Sequence, residues 1–141
     1  MQIQKERVGS GEARNFEFTT WLCSGNYFHY TKITGPVGLR DRIELYKLIL
    51  GLNASDTCYC ILDNSGDHEN SLSFDDMNVL DKMLVDAGIK KFFGVTVTID
   101  FAYKTLVKLA RTNATLHGLD TELYATNSLQ EAEDLLCSQF G

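Results

Sequence analysis

The sequence has little positive charge, no long apolar stretch, few cysteines and no motif that announces a catalyst. With 13 Lys+Arg against 19 Asp+Glu, the formal net charge is −6, which argues against a generic binder of nucleic-acid backbones. No apolar run approaches the roughly 18 residues of a membrane span. The start, Met1-Gln2-Ile3-Gln4-Lys5, lacks the apolar core of a signal peptide, so a cytoplasmic protein is expected. The four cysteines, Cys23, Cys58, Cys60 and Cys137, are widely spread, and His29, His68 and His117 are scattered, so no metal site is expected. Cys58 and Cys60 lie in a strand-like run, where positions i and i+2 share a face and do not readily bridge; buried free thiols are the reading. No Gly-x-Ser-x-Gly elbow, His-Glu-x-x-His, phosphate-binding glycine loop or dinucleotide fingerprint occurs. The expectation is a protein that is not an enzyme and needs no cofactor.

What is present is ordinary for a globular domain: 44% hydrophobic and 23% charged residues over 141 positions, with no internal repeat or linker. One domain over 15–141 is expected, preceded by a polar, flexible tail over 1–14 that contains Gly9-Ser10-Gly11. The charge is unevenly placed. Asp63, Asp67, Glu69, Asp75, Asp76, Asp81 and Asp86 face a single base, Lys82, so the whole imbalance falls between Asp63 and Asp86 and the rest of the chain is neutral.

Residues 16–22 and 27–33 are aromatic and β-branched and flank the turn Ser24-Gly25-Asn26, which predicts an antiparallel hairpin. Thr34-Gly35-Pro36 ends it. Helical spacing of Leu39, Ile43, Tyr46 and Leu50 predicts a helix over 38–52 with Arg40, Asp41, Arg42, Glu44 and Lys47 elsewhere on the wheel. The apolar run 57–62 reads as a strand covered on both sides. A polar loop, 63–70, leads to a helix over 74–87, a strand over 92–99, a helix over 100–113, a short strand over 121–125 and a helix from 128 to 140. The fold class is α/β: a single-domain mixed sheet of four or five strands, with an antiparallel N-terminal hairpin and parallel βα units.

This order, with Ile61-Leu62-Asp63 closing a buried strand, a helix opening at a serine and a terminal Ser128-Leu129-Gln130-Glu131-Ala132, resembles the STAS family of sulfate-transporter and anti-sigma-factor-antagonist domains. The likeness spans about residues 16–140 and is nearest to stand-alone bacterial members. It implies a regulatory module whose partner is another protein, of regulatory-kinase or anti-sigma-like type, with no nucleic acid involved. In regulatory members a hydroxyl at the start of this helix is phosphorylated, within Asp-Ser-Ser/Thr-Gly. Ser73 matches the second hydroxyl in one register and Ser71 the first in the other; neither register supplies the Asp or the Gly. Ser73 with Asp76 three residues on also fits a capping box.

The expected partner-binding residues are Asp63, Asp67, His68, Glu69, Asp75 and Asp76. Divalent-cation binding by Asp63 and Asp100, which each follow an apolar strand, with Asp67, His68 and Glu69 nearby, is the weaker reading, and an EF-hand is excluded because the sixth loop position from Asp63 is His68 and the twelfth is Phe74. Lys104, Lys108 and Arg111 form a basic helix face, read as solvated. Trp21, Tyr27, Phe28 and Tyr30 are read mainly as core, with an apolar pocket or a homodimer surface as the other use. The alternative function is a domain that binds a small apolar or lipid-like ligand in a pocket between sheet and helices.

Overall fold

The aromatic and β-branched segments of the first third of the chain form three strands. The computed structural model describes residues 5–140, with the side chains of 101, 109 and 111–116 left aside; Leu109 and Arg111, read as inward and outward on the third helix, therefore lie outside the described side chains. The elements run β1 (Glu6–Ala13), β2 (Phe16–Cys23), β3 (Asn26–Ile33), α1 (Leu39–Leu52), β4 (Thr57–Asp63), α2 (Phe74–Asp86), β5 (Lys91–Val97), α3 (Phe101–Leu116), β6 (Asp120–Thr126) and α4 (Leu129–Cys137). They build one α/β domain around a six-stranded sheet in the order β1-β2-β3-β4-β5-β6. The first three strands are antiparallel and the rest parallel.

The segment expected to be a loose tail is, over Glu6–Ala13, an edge strand paired with β2. Its glycines have a packing reason. A Cβ at Gly11 would stand 3.0 Å from the Phe18 ring, and one at Gly9 would stand 3.1 Å from Leu52 Cδ1. β1 thus lies close over large side chains because it carries few of its own. The β2–β3 hairpin closes through Ser24 (φ 52°) and Gly25 (φ 77°), two successive left-handed residues between the paired Cys23 and Asn26, as a two-residue loop that follows the strand twist requires.

Alternation divides the core between two faces of the sheet. On one, Phe16, Phe18, Ile33, Cys58, Cys60 and Phe92 pack with Leu45 and Ile49 of α1 and Leu84 of α2, and Tyr103 and Val107 of α3 join them around a shared cavity. On the other, Phe28, Tyr59, Ile61, Phe93, Val95 and Val97 pack with Ala132 and Leu136 of α4. Sequential parallel strands whose three crossovers lie on one face are the outcome of right-handed connections. His29, fully buried, ties the hairpin to the turn after α1: its Nε2 donates to Asn53 Oδ1 at 3.0 Å, and Nδ1 lies 2.7 Å from Thr20 Oγ1.

One consequence of this topology places the site. Each parallel strand runs toward the same edge of the sheet, and α1, α2, α3 and α4 all begin there. Open α/β sheets present ligands and partners with this carboxyl-end rim.

Because β1 covers Phe18 and satisfies one side of β2, a chain lacking residues 1–13 is expected to unfold at a clearly lower urea concentration, by roughly the 2 kcal/mol of one large buried side chain or more, and to self-associate through the bared edge. An unchanged midpoint and a monodisperse profile would show that β1 adds nothing.

Candidate functional site

The polar loop 63–70, the least structured-looking part of the sequence, is tightly built. Asn64 is buried; its amide donates to Val97 O at 3.0 Å, its Oδ1 accepts from the His68 amide at 2.9 Å, and its Nδ2 donates to His68 O at 3.0 Å. The Asp67 amide donates to Asn64 O at 3.0 Å, with Asp67 in the left-handed region at φ 52°. The His68 ring lies over Gly66, where a Cβ would come within 2.8 Å of Nε2. Beyond the loop, the chain pairs with the segment before α1. Val37 N donates to Glu69 O at 2.9 Å and Ser71 N to Val37 O at 3.0 Å. Arg42 of α1 donates to Ser71 O at 3.0 Å and to Asn70 Oδ1. Such accounting of backbone groups leaves the connection little freedom.

The expected partner-binding residues separate into two sets. Asp63 is only 4% exposed; it accepts from the Tyr30 hydroxyl and from Ser65 N at 2.9 Å. Burial pushes its carboxyl up, but these hydrogen bonds outweigh burial and hold it below the usual aspartate value. Burial and the adjoining carboxylate push the Tyr30 phenol well above its ordinary value, so it remains a donor. Asp76 is also engaged: it accepts from Ser73 N at 3.0 Å while Ser73 Oγ accepts from Asp76 N at 3.1 Å, a complete capping box. Asp67, Glu69 and Asp75 are exposed, and His68 is half-buried. Ser71 Oγ donates to Val37 O at 3.3 Å, whereas the Ser73 oxygen serves as the helix cap.

Much of the acidity of this rim belongs to helix starts. Asp41 accepts from Gly38 N at 2.9 Å, Asp100 Oδ1 from Ala102 N at 3.0 Å, and Glu131 from Asn127 N at 3.3 Å, each beside the positive end of a helix. Between these ends stand two large apolar side chains in solvent: Phe74, 58% exposed at the first position of α2, and Ile99, 70% exposed after β5.

Elsewhere, the four cysteines are free; Cys58 and Cys60 are buried with their Sγ atoms 3.8 Å apart, while Cys137 is half-buried. Among the described residues no group of three or more His, Cys, Asp or Glu side chains gathers to hold a metal ion. No helix of the described residues is long and apolar enough to cross a membrane. The aromatic hairpin is largely covered: Phe28 is buried against Phe140, with ring centroids 5.9 Å apart, and Lys5 Nζ sits 4.2 Å from the centre of the half-buried Trp21 ring. Under α1–α3 lies a cavity of about 120 Å³ lined mainly by Leu45, Ile49, Leu80, Leu84 and Val107, with Arg42 in its wall.

Sequence reasoning gives Tyr30 and Arg42 other roles, core or dimer surface and the outer side of α1, and passes over Asn64 and Asn70. Period-2 alternation puts Tyr30 and Asp63 on the same sheet face, and in the β3–β4 register Lys32 pairs with Asp63, two positions beyond Tyr30; only the strand order was needed to find that pair. Arg42 has no such signal: the spacing of Leu39, Ile43, Tyr46 and Leu50 turns it outward, whereas α1 buries Arg42, Leu45 and Ile49.

Asp63 titrates lower in the folded than in the unfolded chain, so its contribution to stability is complete above the ordinary value of about 4 and is lost as pH falls through the folded value. Tyr30→Phe is accordingly expected to cost about 1–2 kcal/mol at neutral pH, with the gap from the parent narrowing below about pH 4; urea midpoints across pH measure both. A gap that stays constant into acid would show that the hydroxyl does not act on the carboxylate. Compared with protein-family models, with curated proteins and with solved structures, the chain matches none, so its site is read from its own geometry.

Proposed function

We propose that this protein is a non-enzymatic regulatory module of STAS type that captures another protein through the rim formed by residues 67–75 and Ile99. The observation that carries the reading is the pairing of exposed apolar anchors with exposed carboxylates on ordered backbone: Phe74 and Ile99, with Asp67, Glu69 and Asp75 around them. Protein interfaces draw most of their energy from a few large apolar side chains, while rim charges steer encounter and exclude wrong partners. A partial preorganisation of the loop reduces the entropy lost on binding. The complementary partner surface has an apolar pocket bordered by Lys and Arg, as a regulatory kinase or anti-sigma-like factor would present.

Of the two candidate hydroxyls for a phosphoryl switch, Ser71 is favoured. It is exposed and serves no helix cap, whereas a phosphate on Ser73 would displace the cap and meet Asp75 and Asp76.

A second reading, a site for a small apolar ligand, is favoured by the cavity beneath α1–α3. At about 120 Å³ it falls below the roughly 300 Å³ at which drug-sized pockets begin. It suits a single ring or a short branched chain better than a long lipid tail.

The test of the first reading uses the full chain as bait, identifies the captured protein and rebuilds the complex from purified components. Phe74→Ser combined with Asp67→Lys, Glu69→Lys and Asp75→Lys is expected to weaken that complex at least about a hundredfold with an unchanged circular dichroism spectrum. Asp63 and Asp76 are spared because they serve the fold. Binding that survives the four changes would reject the rim, and a captured second copy of this chain would make the surface a homodimer contact.

A further inference from the structure

Arg42 is a buried cation without a buried anion. It is 4% exposed, yet its guanidinium donates only to neutral acceptors, the Ser71 carbonyl at 3.0 Å and the Asn70 side-chain oxygen. Among the described residues no carboxylate forms an ion pair with it. Buried charges are ordinarily paired, because neutral dipoles recover only part of the lost hydration. A second group beside it is also unfulfilled. Asn70 Nδ2 is buried with no hydrogen-bond partner, on the same amide whose oxygen Arg42 occupies. Two donors thus stand together with no acceptor of negative charge.

The third observation is the space that Arg42 borders. The cavity of about 120 Å³ is walled by Leu45, Ile49, Leu80 and Leu84, with the guanidinium residue at its edge. An engineered apolar cavity of about 150 Å³ admits benzene, so the volume here is on the scale of one ring or a short branched chain. Asp81 also lines it, but it stands about 12 Å further along α2 than Ser73, away from the end that Arg42 binds.

We propose that this cavity is a binding site for a small monocarboxylate, its head received by Arg42 and its apolar body by Leu45, Ile49, Leu80 and Leu84. This rests on the apolar-ligand reading given above and adds the head group. A carboxylate matches the planar fork of a guanidinium and carries one charge against one. A phosphate dianion would bring a second negative charge into a wall whose one cation is Arg42 and which already carries Asp81.

Benzoate, benzamide and benzene serve as probes, titrated into the whole protein by calorimetry and followed by heteronuclear NMR. Benzoate is expected to bind at least about tenfold more tightly than benzamide, with shifts centred on the amides of α1 and α2. Arg42→Gln is expected to erase that preference. Since this change also releases Ser71 and Asn70, Leu80→Phe provides the independent variant: it fills the cavity, keeps Arg42, and should abolish binding of all three probes while the protein stays folded. Equal binding of benzoate and benzamide would overturn the head-group assignment and leave the apolar site standing. No binding of any probe, or benzoate binding that survives Leu80→Phe, would overturn both.

Discussion

The connection between β4 and α2 is pinned at three points, and the character of the whole rim depends on that pinning. Asn64 closes the loop on itself through both ends of its side chain and fixes it to β5 through its amide. Val37 exchanges backbone hydrogen bonds with Glu69 and Ser71, and Arg42 holds Asn70 and Ser71 from α1. A stretch that could wander as eight solvated polar residues is instead tied to β5 and, by a single bridge, to the segment before α1. Its exposed side chains are therefore held in a fixed pattern, which is what distinguishes a recognition surface from a merely acidic loop.

The same rim shows why an acidic sequence stretch cannot be equated with an acidic binding face. Four helices begin on one side of the domain, so their positive ends converge there and carboxylates are recruited to them. Asp41, Asp76, Asp100 and Glu131 meet backbone N–H groups at these starts, and Asp63 is committed to Tyr30 and Ser65. What is left over for a partner is smaller and sharper: Asp67, Glu69, Asp75 and Phe74, all exposed. Arg42 links this surface to the interior, since its guanidinium anchors the rim backbone while the residue borders the cavity.

The alternation and helical spacing that announced the α/β class carried the fold well, because each of those elements buries one face and leaves the other wet. β1 escaped because it obeys no such rule. It is an edge strand with glycines where Phe18 and Leu52 approach, and its burial shows no amphipathic contrast. The site was legible only in outline. The capping box at Ser73 and Asp76 is local in sequence and could be read, whereas the pairing of Tyr30 with Asp63 needs the sheet order and the burial of Arg42 needs the rotation of α1. A helix with Leu39, Ile43, Tyr46 and Leu50 at one angle and Arg42, Leu45 and Ile49 at another offers two plausible inner faces. Packing against the sheet and α2, not composition, decides between them.

The central claim is that the rim is ordered in the free protein, and amide hydrogen exchange at Val37 and across residues 63–73 tests it most directly. Pinning by Asn64, Val37 and Arg42 predicts slow exchange at the amides of Val37, Asn64, Asp67, His68 and Ser71, within the range of the surrounding sheet. Exchange of these amides at the rate of an unstructured peptide would contradict the account, for the same carboxylates and the same phenylalanine would then be displayed on a loop with no fixed shape.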